Sequence, residues 1–328
     1  MGINSVNVLT LSNDRIELFD FMTKGNLLNL KEAFNLPIKD ILDVAEDELT
    51  PLVEIGVKGK YFILTDCSYE SLKNTFVLNK DVGDVRNKTI NIFKDKYGIK
   101  LTDYYIDLRV QNFENYVVSY VVASPKSYVD TIGRFLKKKG GRLLCMESDI
   151  DSLKRFQPVK NTVYLHIHLN NRNSLALISR DGKILSERLI TFGYKELLEI
   201  LSRSGGISSE DARQILWSKG ILEGNLESEE EINYQNSVIN AMDRIGVEIQ
   251  KSLDLFWQNI KDKMPEVIVV SGKIQNIPGL ERYYSKLFNT EVRRFNILSL
   301  VESEMGEEVF DDFENLEVAA GAAMRRRF

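Results

Sequence analysis

Short runs of apolar and alternating residues open the chain. They cover residues 6–12, 15–23 and 26–30, and Asn-Asp and Lys-Gly turns separate them. Alternation with a period of two, interrupted by such turns, predicts the three strands of an antiparallel meander. Apolar residues at helical spacing follow Pro37, so we expect a helix over 37–49. The next apolar runs predict strands over 52–57 and 60–66.

The pattern then predicts a small unit of its own. It consists of a helix over 83–97, strands over 103–110 and 115–123, a helix that opens at Ser124-Pro125, and a strand over 141–147. We expect this unit to be an inserted subdomain of the order αββαβ, spanning residues 81–146.

The second half of the chain repeats the opening pattern. Residues 161–192 again predict three strands, of which the last two are joined by the Asp-Gly turn at 181–182. Helices follow as far as residue 263, and the last of them, over 239–263, is long and amphipathic. Its apolar stripe consists of Ile239, Met242, Ile245, Ile249, Leu253 and Phe256. A buried strand at 267–270, a weak strand at 291–295 and an alanine-rich helix after residue 314 complete the chain.

This duplication predicts an α/β protein of two pseudo-symmetric domains. The expected boundaries are residues 1–80 with 147–159 for the first domain, 81–146 for the insert, 160–200 with 264–328 for the second domain, and 201–263 for a helical subdomain of the second.

Composition narrows the class of protein. The chain has 328 residues, 43% hydrophobic and 28% charged, which is enough for two domains with cores of their own. Its apolar runs are shorter than the roughly 18 residues that span a bilayer, and it lacks a secretory leader pattern, so we expect a cytoplasmic protein. The net charge of −5 argues against a nucleic-acid partner. Cys67 and Cys145 match no metal or redox spacing and are predicted to be free thiols.

The order of these elements resembles that of the PilM-type pilus-assembly proteins. The resemblance is carried by EIQKSLDLF at 248–256, SGKIQNIPGL at 271–280 and AAGAAM at 319–324. Proteins of this type are related to the cell-division protein FtsA and to the cytoplasmic part of the secretion protein GspL. The resemblance therefore implies an actin-like, ribonuclease-H-like fold of two domains with an inserted small subdomain.

The resemblance also locates three turns that hold nucleotide in actin-like ATPases. Both meander turns should carry a metal-binding aspartate and a glycine, the adenine-side loop should carry two glycines, and a nearby helix should offer a glutamate and a lysine to the ribose. The matching positions here are Thr10 and Ser12, His166 and His168, Gly272 and Lys273, and Arg213 and Leu216. Only Gly272 keeps the expected residue type. Without the acids and the glycine nests we expect no bound ATP or magnesium, no catalytic residue and no ATPase activity.

Two other patterns have simpler interpretations. His166 and His168 share one face of a strand, but no cysteine or paired carboxylate lies nearby to complete a metal site, so a solvent-facing or hydrogen-bonded pair is favoured. The basic run KKKGGR at 137–142 ends a helix, where cations suit the helix dipole. The terminal RRRF at 325–328 is a weak lipid anchor, so membrane association is expected only through a protein partner.

Two functional hypotheses remain. In the first, the chain is a cytoplasmic scaffold of a type IV pilus or type II secretion-like machine, located at the inner face of the inner membrane. It captures the short cytoplasmic tail of a single-span inner-membrane protein and contacts other components of the assembly platform. The resemblance implies a tail groove beside the insert, with Tyr104, Tyr105, Val118 and Tyr120 as candidate wall residues.

The second hypothesis is a nucleotide-binding actin-like ATPase or switch of the same machinery. It requires ATP to bind despite the replaced turns. A GspL-like protein is disfavoured because no transmembrane segment follows the predicted domains.

Overall fold

The computed structural model describes residues 5–24, 27–54, 56–81, 83–156, 160–221, 228–260, 263–275, 277–306 and 313–325. The chain divides into two compact units, Met1–Phe156 with Asn296–Phe328, and Gln157–Phe295. The sequence had assigned 296–328 to the second domain, whereas the structure places this segment in the first unit. Parts of several sequence patterns lie outside the described residues: 26 of the third apolar run, 55 of the strand predicted over 52–57, 261–262 of the long helix, 276 of SGKIQNIPGL and 326–328 of the terminal arginine run.

The first unit contains a six-stranded sheet. Its strands are β1 (Ser5–Leu11), β2 (Arg15–Lys24), β3 (Leu27–Pro37), β4 (Tyr61–Asp66), β8 (Arg142–Ser148) and β14 (Val301–Ser303). The order is β14-β3-β2-β1-β4-β8, with an antiparallel meander from β1 to β3 and with β4 and β8 parallel to β1. The helices of this unit are α1 (Pro51–Glu54), α2 (Val85–Tyr97), α3 (Lys126–Lys138), α4 (Asp149–Leu153) and α9 (Leu316–Ala323). The predicted meander and the strand at 60–66 are confirmed.

The predicted helix over 37–49 is wrong. Pro37 ends β3, where it pairs with Arg15, and residues 41–50 form successive turns. The Asp40 carboxylate accepts the backbone N–H of Leu42, and the Glu48 carboxylate accepts that of Ala45, so these side chains satisfy backbone groups that a helix would otherwise pair. The strand predicted at 52–57 is also absent, because 51–54 form the short helix α1.

A second, three-stranded sheet belongs to the same unit. Its strands are β5 (Leu72–Asn79), β6 (Tyr104–Asn112) and β7 (Tyr116–Pro125), in the order β5-β7-β6. Helix α2 covers one face, where Phe93 packs with Leu108, Val121 and Ala123. The sequence missed β5, while β8 lies in the larger sheet and α3 packs into that sheet's core through Tyr128. The insert is thus a βαββ unit over 72–125 rather than αββαβ over 81–146.

The second unit repeats the meander on a five-stranded sheet. Its strands are β9 (Val163–Leu169), β10 (Ser174–Arg180), β11 (Lys183–Ile190), β12 (Val267–Gly272) and β13 (Glu291–Arg294), in the order β11-β10-β9-β12-β13. Its helices are α5 (Tyr194–Gly205), α6 (Ser209–Lys219), α7 (Glu229–Ile260) and α8 (Leu280–Phe288). The repeated strands and the weak strand at 291–295 are confirmed. Helix α7 begins ten residues before the predicted start, and every member of the predicted stripe is buried except Ile239, which is half-buried.

Candidate functional site

Thr10, the first of the candidate nucleotide positions, lies at the end of β1 and is fully buried. Its hydroxyl donates to Glu17 Oε2 at 3.2 Å, across the β1–β2 pair in which the two residues face each other. Ser12 begins the turn, where its backbone N–H donates to Arg15 O at 3.0 Å. The turn is therefore closed on itself and on a buried acid of the neighbouring strand.

Glu17 is the residue that organises this end of the sheet. Its Oε1 accepts the backbone N–H of Glu314 at 2.8 Å, and its Oε2 accepts the N–H and the Nδ2 of Asn315 at 3.1 and 2.9 Å. Asn315 Nδ2 also lies 3.1 Å from Ser12 Oγ. Asn315 precedes α9, so the carboxylate sits at the positive end of that helix. Sequence reasoning missed this role, although an acid at an inward position of the apolar run RIELFDF was a signal for it.

The turn of the second meander is also tied to its own unit. Asn170 O and Asn171 O accept the backbone N–H groups of Tyr194 and Lys195 at 2.9 and 2.8 Å, so the turn satisfies the first donors of α5. A Cβ at Gly193 would overlap the backbone of this turn. The close packing leaves the turn joined to a helix rather than open around a ligand.

His166 and His168 lie within β9 rather than in the turn that follows it. Both are buried, and His166 Nε2 and His168 Nδ1 each lie 2.7 Å from Ser271 Oγ on β12. A hydroxyl has one proton, so Ser271 donates to one imidazole and accepts from the other. Burial, with a smaller contribution from His168, lowers the pKa of His166 to about 3. The hydrogen-bonded alternative for this pair is confirmed. Among the described residues, no group of three or more metal-ligating side chains occurs.

Gly272 ends β12 with a left-handed backbone, φ +74°. A Cβ at this position would overlap Leu169 O, and the next residue, Lys273, donates its backbone N–H to the same carbonyl at 3.0 Å. The glycine is thus required where β12 leaves β9, whether or not a ligand binds there.

Arg213 and Leu216 lie on α6. Leu216 is fully buried. The Arg213 guanidinium pairs with Glu210 and lies 4.6 Å from the ring centroid of Trp217. Leu216 is therefore a core residue, whereas Arg213 stacks on the indole of Trp217 and pairs with Glu210.

The candidate tail-binding residues separate between the two faces of the small sheet. Tyr104 packs on the α2 face, in the cluster around Phe93. Its neighbour Tyr105 lies on the opposite face and is 48% exposed. Val118 and Tyr120 share the face of Tyr105 but are buried, and they offer no open wall to a peptide.

Tyr105 lies beside two charged residues of α3. Its hydroxyl donates to Asp130 Oδ1 at 2.7 Å, and this hydrogen bond raises the pKa of the phenol. Lys126 Nζ lies 5.3 Å from the centre of its ring. The three side chains form what we call the Tyr105 surface.

Tyr120 belongs instead to a buried polar junction between the two sheets of the first unit. Its hydroxyl lies 3.0 Å from Ser148 Oγ at the end of β8. Asp66, at the end of β4, accepts the hydroxyl protons of Ser124 and Tyr128 at 2.7 and 2.6 Å. These contacts fix the small sheet to the ends of the central strands.

A buried ion pair completes the junction. Lys73 Nζ on β5 lies 2.8 Å from Asp149 Oδ1 on α4. Burial lowers the pKa of Lys73, but the carboxylates of Asp149 and Asp66 outweigh burial, so that its pKa is raised and the ammonium stays charged. Arg109 of β6, whose side chain is partly exposed, also pairs with the buried carboxylate of Asp151.

Comparison with solved structures identifies the fold. Over 98% of both chains, the protein matches a chain of the PilM-PilN type IV pilus biogenesis complex, with a TM-score of 0.72 and 16% identity. It also matches MreB 5 of Spiroplasma citri bound to AMPPNP, with a TM-score of 0.55 and 11% identity over 99% of this chain and 97% of the other. The ethanolamine utilization protein EutJ from Carboxydothermus hydrogenoformans matches with a TM-score of 0.51 and 12% identity over 99% and 90%. The predicted actin-like two-domain fold is confirmed.

A scan against protein-family models and a comparison with curated proteins found no match. Within the described part of the chain, no helix combines the length and apolar character that a membrane crossing needs.

Proposed function

We propose that this protein is an actin-like scaffold of a type IV pilus or secretion-like assembly machine, which holds the cytoplasmic tail of a single-span inner-membrane partner. The observation that carries the proposal is the structural match to a chain of the PilM-PilN complex, which extends over 98% of both chains. A match of this extent includes the small sheet, beside which the sequence resemblance places the tail. The protein would then act at the inner face of the inner membrane through that partner and contact other assembly-platform components.

The first meander turn supports a scaffold that works without nucleotide. Glu17 already occupies the backbone donors at the start of α9, and its negative charge is buried beside Thr10. A phosphate brought to this turn would meet a carboxylate instead of free N–H groups and a metal-binding acid. We therefore propose that the chain binds neither ATP nor magnesium and is not an ATPase.

The Tyr105 surface is the part of the small sheet that we propose as a tail contact. An exposed aromatic ring flanked by one ammonium and one carboxylate provides apolar area together with polar groups for a peptide backbone. β6 is also an edge strand of its sheet, so backbone groups on its outer side face no neighbouring strand of that sheet. Val118 and Tyr120 no longer belong to the proposed contact, because both are buried.

A peptide titration tests this proposal. The probe is a synthetic peptide of the cytoplasmic tail of a single-span inner-membrane protein, chosen from the genes that neighbour the one for this chain. We expect Tyr105→Ala to weaken binding at least about tenfold, since a central aromatic contact contributes about 1.4 kcal/mol or more. Tyr69→Ala is the matched control, because Tyr69 is similarly exposed, at 45%, and lies in the loop between β4 and β5. Equal affinities for the two variants would exclude the Tyr105 surface, and absence of binding to the unchanged protein would exclude the scaffold function.

A nucleotide-regulated switch is the second candidate. The observation in its favour is the fold shared with MreB 5 of Spiroplasma citri, which was solved with AMPPNP. Lys273, which follows β12, would place a cation near a phosphate in the second unit. Thermal stabilisation by Mg-ATP separates this candidate from the scaffold.

A further inference from the structure

A cluster of cations lies at one end of the six-stranded sheet, where α3 ends and β8 begins. The cations come from two chain segments, the loop before β4 and the connection from the end of α3 to the start of β8. Backbone hydrogen bonds join them: Gly59 N–H donates to Gly140 O at 2.9 Å, and Arg142 N–H donates to Lys60 O at 3.0 Å. Residues 57–60 and 137–142 are therefore held next to each other by backbone hydrogen bonds. The cations of the cluster are Lys58, Lys60, Lys137, Lys138, Lys139 and Arg142.

Two of these cations are neutralised by neighbours. Lys138 pairs with Glu46 at 2.7 Å, and Lys60 pairs with Asp20 at 3.0 Å. The other four, Lys58, Lys137, Lys139 and Arg142, are exposed, and no described carboxylate lies within ion-pair distance of them. The helix-capping role predicted from the sequence accounts for the lysines that end α3, but it does not account for Lys58 or Arg142, which come from other elements.

An exposed apolar side chain follows Arg142 on β8, on the face of the sheet that α3 covers. Leu143 follows Arg142 and is 41% exposed. Its Cδ2 lies 4.0 Å from the place that a Cβ would take at Gly133. Gly133 lies on α3, one helical turn before Lys137. We define the basic patch as these four cations with Leu143.

We propose that the basic patch docks the protein directly on anionic phospholipid headgroups. Exposed cations on long side chains, with an exposed apolar residue on the neighbouring helix-covered face, suit the boundary between headgroups and acyl chains. The chain as a whole carries −5, so this local positive charge would orient the molecule with the patch toward a negative surface. Nucleic acid is the less suitable partner because the aromatic rings beside these cations are not free to stack. The ring of Tyr61 lies under the Arg142 guanidinium at 5.7 Å, and that of Phe135, 5.9 Å from Lys139 Nζ, is buried.

This contact goes beyond the proposed function, since it needs no protein partner. The sequence analysis predicts membrane association only through a protein partner, whereas this proposal adds a direct contact with lipid. Each cation near a charged surface strengthens binding about fivefold, so four of them contribute up to several hundredfold at low ionic strength.

Flotation with lipid vesicles tests the proposal on the full chain alone. We expect binding to phosphatidylcholine vesicles that contain about 30 mol% phosphatidylglycerol, and none to phosphatidylcholine alone. Salt at about 0.5 M should release the protein, because screening shortens the range of the attraction to a few Å. Equal binding to neutral vesicles would overturn the proposal.

Two quadruple variants with the same change of charge locate the contact. The patch variant replaces Lys58, Lys137, Lys139 and Arg142 with Gln, and the control replaces Lys88, Lys94, Lys96 and Lys100 with Gln. All eight residues are exposed and lack a described ion pair, so both variants should keep the wild-type melting temperature. We expect the patch variant to bind anionic vesicles at least about tenfold more weakly than wild type, and the control to lose less than about threefold.

Equal weakening of the two variants would overturn the assignment to the patch. Retention of the wild type on DNA or polyglutamate without vesicle binding would overturn it in favour of a polyanionic macromolecule. Leu143→Ser should lower vesicle binding a few-fold with all charges present, and unchanged binding would contradict the apolar part of the contact. Since no tail peptide is present, failure here leaves the proposed function intact, and failure of tail binding leaves this contact intact.

Discussion

The carboxylate of Glu17 accepts two hydrogen bonds from Asn315, one from its backbone and one from its side chain, although 298 positions separate the two residues. Together with the N–H of Glu314 and the hydroxyl of Thr10, these contacts give the buried acid four donors. A buried charge is stable only when it is satisfied in this way. The arrangement therefore joins the first meander to the last described helix of the same unit.

Replacing Glu17 with Gln should destabilise the first unit. The amide keeps one oxygen, but its NH2 group faces N–H and O–H donors that the carboxylate had accepted. These buried donors then lack an acceptor, which lowers the free energy of unfolding by about 1–3 kcal/mol. Urea unfolding measures the difference. Glu302→Gln is the control, because Glu302 is exposed on β14. A loss no larger than that of the control would show that Glu17 does not hold this end of the sheet.

The Gly272 backbone gives a second prediction. In Gly272→Ala the new Cβ would stand on a left-handed backbone, φ +74°, and overlap Leu169 O. In Gly182→Ala the backbone is similar, φ +71°, but no atom lies within 4 Å of the new Cβ. Left-handed backbone alone costs about 1–2 kcal/mol, so we expect about that for Gly182→Ala and clearly more for Gly272→Ala. Equal losses in urea unfolding would mean that strand packing does not require the glycine.

The buried histidines make stability depend on pH. The pKa of His166 is about 3 in the folded protein and ordinarily 6.5, so between these values the unfolded chain binds a proton that the folded chain does not. Stability therefore falls as the pH falls through this window, by up to about 1.4 kcal/mol per pH unit. His166→Gln keeps a polar group near Ser271 but cannot titrate. Between pH 6.5 and 5, wild type should lose about 1.6 kcal/mol more than this variant, and parallel losses would contradict the assignment.

Periodicity was sufficient to predict both meanders and the long helix, because residues on one face recur at fixed spacing. It failed after Pro37, where Ile38, Ile41 and Leu49 are buried from a series of turns rather than from a helix. It also missed β5, whose residues are half-buried along nearly the whole strand and show no clean alternation.

The candidate site was less accessible to sequence reasoning. The positions of Thr10 and Lys273 in their turns could be predicted from the sequence, but the role of Glu17 depends on a partner from the other end of the chain. The burial of Val118 and Tyr120 likewise depends on tertiary packing, and their strand alone looked suited to an exposed wall.

Nucleotide independence predicts a small thermal response. Millimolar Mg-ATP should stabilise the protein by no more than about 0.4 kcal/mol, the value when ligand concentration equals the dissociation constant. For units of this size that is a melting shift of about 1–2 °C. Differential scanning fluorimetry measures it, with Mg-free ATP as the control for non-specific anion effects. A shift well above about 3 °C would favour the nucleotide-regulated switch.

The most direct test of the scaffold is calorimetric titration of the tail peptide with and without Mg-ATP. The account predicts a dissociation constant in the micromolar range or tighter, about −8 kcal/mol or better, which changes less than about twofold when nucleotide is added. Absence of binding up to about 1 mM peptide, or binding that appears only with Mg-ATP, would contradict a nucleotide-independent scaffold.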